Sequence, residues 1–136
     1  MLIRSFLPED KAAVIALWQD IFSVDSPHND PQTSLDKKLR HDRDLLLVAV
    51  IDDGVVGTVI GGYDGHRGWI YSLAVKPELR RRGIASTLVN AIEEKLVALG
   101  CLKVNLQVLA SNADVITLYE GLGYHVEERI SMGKRL

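Results

Sequence analysis

Residues 69–86 run W-I-Y-S-L-A-V-K-P-E-L-R-R-R-G-I-A-S, and the architecture follows from how this stretch divides. Residues 69–75 are strand-like and end at Lys76-Pro77. Six residues beyond Pro77, Gly83 opens a strongly amphipathic helix in which Ile84, Ala85, Leu88, Val89, Ile92 and Leu96 form one apolar stripe. Glu93, Glu94 and Lys95 lie mostly off that stripe, and Gly100 is a C′ stop. A strand feeding a tight turn, with glycine at a helix start, leaves backbone N–H groups unpaired and pointing outward. Those donors and the positive end of the helix dipole make an anion site. Arg80, Arg81 and Arg82 raise the local positive potential, and small Ala85 lets the backbone approach a ligand closely. A pyrophosphate fits there. Taken alone, the string suits equally a solvated basic turn in which Gly83 relieves backbone strain. It lacks the Lys-Ser or Lys-Thr of a Walker loop and the G-x-G-x-x-G of dinucleotide folds, which argues against a nucleoside triphosphate or NAD.

Upstream, residues 2–6 read as a first strand. Pro8, Glu9 and Asp10 suit a helix first turn, which Val14, Leu17, Trp18 and Ile21 continue as an apolar face. Residues 23–31 form a polar, proline-bounded loop, and a shorter helix covers 33–41 with Leu35 and Leu39 inward. The run 45–51 is a buried strand, Asp52-Asp53-Gly54 a hairpin turn, and 55–63 its antiparallel return. Residues 64–68 turn into the strand quoted above. Downstream, 102–109 is a strand, 111–122 a helix capped by Ser111, and 124–128 and 130–134 are closing strands. The order describes an α/β (α+β mixed) domain over residues 1–136, one mostly antiparallel sheet with helices on both faces. The stretch from residue 69 to 109 is a β-α-β unit with parallel strands.

At 136 residues the chain can bury a genuine core. Its net charge of -2 argues against a general nucleic-acid binder. The longest apolar run has seven residues, too short for a membrane span, and the first residues lack the features of a signal peptide. Cys101 is the only cysteine, so an intrachain disulfide is ruled out and a reducing, cytoplasmic setting fits. The histidines and Cys101 have no zinc-ligand spacing, so no metal is expected.

Asn112 and Tyr119 stand seven residues apart, two helical turns, on one face of a helix that G-L-G-Y at 121–124 terminates. By itself this suits a tyrosine packed in a core. Combined with V-x-P-x-x-R-x-x-G-I-A at 75–85, however, N-A-D-V-I-T-L-Y-E-G-L-G-Y at 112–124 resembles the GCN5-related N-acetyltransferase (GNAT) superfamily. The likeness extends over nearly the whole order of elements, and is strongest to the small bacterial YpeA-type members.

The resemblance implies acetyl-coenzyme A as cosubstrate and transfer of its acetyl group to a primary amine, on a small molecule, a protein N-terminus or a lysine. It implies that the backbone of Leu73, Ala74 and Val75 pairs with the pantetheine arm, that Arg80 opens the family motif, and that amides from Arg81, Arg82, Gly83, Ile84, Ala85 and Ser86 cradle the pyrophosphate. It implies that Asn112 contacts the pantetheine region and that Tyr119 meets the thiol sulfur as the catalytic residue. Two departures concern the general base. Many members place a glutamate early on the fourth strand, where this chain has Trp69. RimI-type members carry L-E-V-R-x-S-N, where this chain reads L-Q-V-L-A-S-N at 106–112, with Gln107 for the glutamate. The other candidates are Asp64, His66 and Tyr71, with His28 or Asp30 in the early loop; Asp25, Asp30 and Asp64 give the acceptor region an acidic character. The alternative is a coenzyme A-binding sensor or regulatory module that has lost its chemistry. An exposed last strand offers an edge for a homodimer.

Overall fold

The computed structural model describes residues 1–22 and 30–136. These divide into two compact units, Met1–Leu106 and Gln107–Leu136. In the first, β1 (Leu2–Ser5), β2 (Leu46–Ile51), β3 (Gly54–Tyr63) and β4 (Gly68–Val75) form an antiparallel ladder in chain order. After α3 (Ile84–Ala98), the chain returns as β5 (Val104–Asn105), parallel to β4. The expected β-α-β unit is therefore formed. Asp52 and Asp53 turn the β2–β3 hairpin with φ of 50° and 63°, the left-handed pair that a two-residue hairpin favours.

Adjacent residues of β3 face opposite sides, and the two sides receive different helices. On one side lie Gly57 and Gly61. A Cβ on Gly61 would stand 2.7 Å from Ile92, and one on Gly57 3.1 Å from Leu88, so α3 rests directly on the sheet backbone. Its stripe of Ile84, Leu88, Val89, Ile92 and Leu96 is buried, as the periodicity requires. On the other side, Trp18 of α1 (Lys11–Ile21) reaches Thr58. Val14, Leu17 and Trp18 there join Leu35 of α2 (Pro31–Asp42) and Leu46, Val48, Ile60 and Ala74 in one core. The layer order is helix, sheet, helix.

The turn before α1 is pinned by a buried carboxylate. Asp10 accepts 2.7 and 3.0 Å bonds from both guanidinium arms of Arg4, and one of 2.8 Å from the Leu7 amide. The Arg4 bonds hold its carboxyl below the ordinary range. Asp10→Asn is therefore expected to cost about 2 kcal/mol at neutral pH, since hydrogen bonds to charged groups are worth about 1.5–3. A carboxyl lowered on folding stabilises fully above its unfolded value of about 3.9, and loses that contribution as pH falls through the folded value. Denaturant melts of both proteins at pH 7 and pH 3 should show the difference shrinking in acid.

Glycine ends both principal helices by one device. Gly100 has φ 93°, its amide bonds Val97 O, and the Cys101 amide bonds Leu96 O, a Schellman closure. In the second unit, α4 (Ala113–Gly121) closes identically: Gly123 has φ 94°, its amide bonds Glu120 O, and the Tyr124 amide bonds Tyr119 O. Three expectations are corrected. Asn112, not Ser111, caps α4, accepting a 3.4 Å bond from the Val115 amide. The expected strand 102–109 contracts to two residues: Leu102 and Leu109 are exposed, and β5 meets β4 only at Gly68 and Trp69. Residues 124–128 and 130–134 form no strand: 125–136 are exposed throughout, without the buried face that would set a register. The homodimer edge suggested there is thus not formed among the described residues.

Candidate active site

Between Thr58 and Ile60 of β3, Val59 stands opposite two residues of β4, Ser72 and Leu73. This is a β-bulge, and Ser72 takes φ 47°, a left-handed conformation that a non-glycine residue adopts only when its surroundings enforce it. A buried hydrogen-bond chain meets it there. The Thr58 hydroxyl accepts from Trp18 Nε1 at 2.8 Å and donates to the Ser72 carbonyl at 2.9 Å. Meanwhile β4 and β5 pair only at Gly68–Val104 and Trp69–Asn105. Beyond Trp69, the edge of β4 along Leu73, Ala74 and Val75 has no strand neighbour within this unit. Its backbone donors and acceptors form a strip that an extended, amide-bearing chain can pair with, as β-strands are paired.

That strip runs into the basic turn. Lys76 returns to the sheet through Val56 O at 2.9 Å, residues Pro77–Leu79 make one tight turn, and Arg80 is extended. Arg81 and Gly83 then both take positive φ, 64° and 80°. Left-handed residues on either side of Arg82 curl the main chain into a concave set of N–H groups, an arrangement that binds anions. A Cβ on Gly83 would meet nothing within 4 Å, so glycine answers here to conformation alone. Thr87 is the first residue of α3 whose amide reaches a carbonyl of that turn, Gly83 O at 3.0 Å. Helix geometry leaves the amides of Ile84, Ala85 and Ser86 without an intrahelical acceptor. Arg80, Arg81 and Arg82 are all exposed. The strand edge and the basic turn are thus continuous on one unit.

In the second unit, Tyr119 is buried and meets the Tyr124 ring edge-on, centroids 5.3 Å apart at 71°. The Schellman closure sets this pair, since it brings the residues before and after the glycine together. Asn112 commits its side-chain carbonyl to the helix cap and keeps its amide N–H₂ for other partners.

The candidates for a base are mostly engaged in turn chemistry. Asp64 accepts 2.7 Å bonds from the Arg67 and His66 amides, and those bonds hold its carboxyl below the ordinary range, making it a weaker base. Asp30 caps α2 through the amide and hydroxyl of Thr33, both at 3.0 Å. Tyr71 is half exposed, and its pKa is raised by burial and then by the charge of Asp64. Gln107 hydrogen-bonds Ser131. His28 and Asp25 lie outside the described residues. Lys38, absent from the candidates, places Nζ 2.6 Å from Gly61 O, and burial lowers its pKa. Nothing in its helical heptad marks it out. Among the described residues no group of three His, Cys, Asp or Glu side chains is arranged to hold a metal, and no helix is long and apolar enough to cross a membrane.

Comparison with known proteins agrees with this architecture. The model of the acetyltransferase (GNAT) family matches residues 11–124. The Ard1 protein of Thermoplasma volcanium is similar at 26% identity and a TM-score of 0.81, over 93% of this chain and 83% of that one. Two further structures share the fold. The PaiA N-acetyltransferase of Thermoplasma acidophilum, in complex with coenzyme A, is 21% identical with a TM-score of 0.81, over 95% of this chain and 92% of its own. The aminoglycoside N-acetyltransferase AAC(6')-Iy, also in complex with coenzyme A, is 19% identical with a TM-score of 0.79, over 98% and 93%.

Proposed function

This chain belongs to the acetyltransferase (GNAT) family, and from that premise we propose that it transfers an acetyl group from acetyl-coenzyme A to a primary amine. The observation that carries the proposal is the continuity of the β4 edge, which has no strand neighbour within its unit beyond Trp69, with the Arg80–Ser86 turn. One offers main-chain pairing to an amide-bearing arm, the other main-chain donors to a diphosphate. Leu73, Ala74 and Val75 serve the arm, and Arg80, Arg81, Arg82, Gly83, Ile84, Ala85 and Ser86 the phosphates, with Asn112 on the pantetheine.

The cosubstrate supplies a thioester-activated acetyl group. A backbone N–H beside Leu73 or Ala74 draws charge toward the thioester oxygen, as oxyanion donors do. The Tyr119 hydroxyl serves the departing sulfur. A phenol near pKa 10 facing a thiol near 8.5 gives up its proton uphill by about 2 kcal/mol, so it acts by a strong hydrogen bond with late proton transfer. The acceptor must arrive neutral. A lysine near pKa 10.4 is neutral about once in 2,500 molecules at pH 7, a deficit of about 4.6 kcal/mol, whereas an α-amine near 7.7 lacks only about 1. With Asp64 and Asp30 engaged in turns, an acceptor of low pKa suits the site better than an ordinary lysine. The free, buried thiol of Cys101 fits a reducing cytoplasm.

Acetyl-coenzyme A should release free thiol when the right amine is supplied, in a screen of polyamines, amino acids, aminoglycosides and peptides. Trp69 and Gln107, standing where the family resemblance expects glutamates, favour a second reading, a sensor that binds coenzyme A without turnover. Saturable binding with no thiol release across the whole screen would establish that reading against the first.

A further inference from the structure

Thr58 stands alone as a hydroxyl in the buried centre of β3, between Gly57 and Val59, with a relative exposure of 0%. A hydroxyl so placed has to be paired on both sides. Trp18 Nε1 can only donate, so at 2.8 Å it takes the oxygen's lone pair and leaves the single hydroxyl proton for the Ser72 carbonyl at 2.9 Å. Trp18 is itself 2% exposed and fixed in the α1 core. A rigid, directional chain thus runs from α1 through β3 to the one left-handed residue of β4, at the bulge where β4 gains a residue over β3. The residue after Ser72 is Leu73, the start of the free edge.

We propose that Thr58, held by Trp18, is a positioning residue: its hydrogen bond to Ser72 keeps the β4 bulge in the register that aims the Leu73–Val75 strip at the amide-bearing arm of the cosubstrate. This rests on the proposed use of acetyl-coenzyme A. Without the bond, the Ser72 carbonyl loses its side-chain donor, and relaxation toward ordinary strand geometry rotates the following peptides. The anion turn, built from other residues, is untouched. Thr58 therefore governs recognition of the arm and not of the phosphates.

The two parts separate with two probes, coenzyme A and 3′-phosphoadenosine 5′-diphosphate, which keeps all three phosphates but lacks the arm. Titration of Thr58→Val, whose side chain has the same shape without the hydroxyl, should show coenzyme A weakened about tenfold, the effect of one well-formed hydrogen bond to a buried group. The arm-less diphosphate should bind as to the native protein, and Thr58→Ser should restore coenzyme A affinity. Equal weakening of both probes, or of neither, overturns the proposal. If Thr58→Val does not fold, Trp18→Phe serves: it removes the indole donor together with part of the ring, and should weaken coenzyme A alone by about threefold. Unchanged affinity in that variant overturns the proposal. A native protein that binds the arm-less diphosphate but gains nothing from the arm overturns the acetyl-coenzyme A reading, and this inference with it. A native protein that does gain from the arm leaves the variants to decide the inference alone.

Discussion

Tyr119→Phe is expected to lower kcat about a hundredfold while coenzyme A binds as before. Proton transfer by a positioned side chain contributes about 10²–10⁴ in rate, and the low end applies because the phenol is the weaker acid of the pair. The substitution removes one oxygen and keeps the ring, so the edge-on contact with Tyr124 and the closure of α4 survive. Steady-state kinetics beside a titration of coenzyme A separate the effects: kcat falls and affinity holds. Native turnover in the variant would remove Tyr119 from the chemistry.

The second large effect is expected at Gly83. Its φ of 80° is open to glycine and tolerable to asparagine, but strained for a β-branched residue. Since a Cβ there meets nothing within 4 Å, substitution acts through the main chain and not through a clash. Gly83→Val should turn the peptides at the head of α3 and weaken coenzyme A by about 30–100-fold, corresponding to about 2–3 kcal/mol of backbone strain or lost donors. Gly83→Asn should stay within about threefold of the native affinity. Full affinity in Gly83→Val would show that the phosphates sit elsewhere.

The parts of this molecule that were legible in its sequence are those where a local pattern meets a single physical demand. The stripe from Ile84 to Leu96 could only be a helix face, and Asp52-Asp53-Gly54 only a tight hairpin. Gly83 marked the turn into α3, where its φ of 80° calls for glycine. The bulge was not legible. Y-S-L-A reads as plain strand, and the left-handed Ser72 is met by a tertiary hydrogen bond from a residue 14 positions away. A signal did exist: Thr58, a lone hydroxyl among V-V-G-T-V-I-G-G, must find partners if that strand is buried. Ser111 lost the cap of α4 to its neighbour Asn112, a boundary error of one residue that two good capping side chains in succession invite. The tail misled for another reason. Alternation at 124–134 satisfies strand propensity, but a strand also needs a partner and a covered face, and neither is encoded locally. The base escaped because carboxylates at loop ends are as useful for capping as for proton transfer, and Asp64 and Asp30 do the former.

The central claim is that the main chain from Leu73 to Ser86 holds a diphosphate-bearing acyl carrier, and calorimetric titration of the native protein with acetyl-coenzyme A tests it most directly. Saturable one-to-one binding is expected, with affinity falling as salt rises because the arginines and the helix head contribute electrostatically. An absence of binding by well-folded protein at millimolar acetyl-coenzyme A would contradict the account.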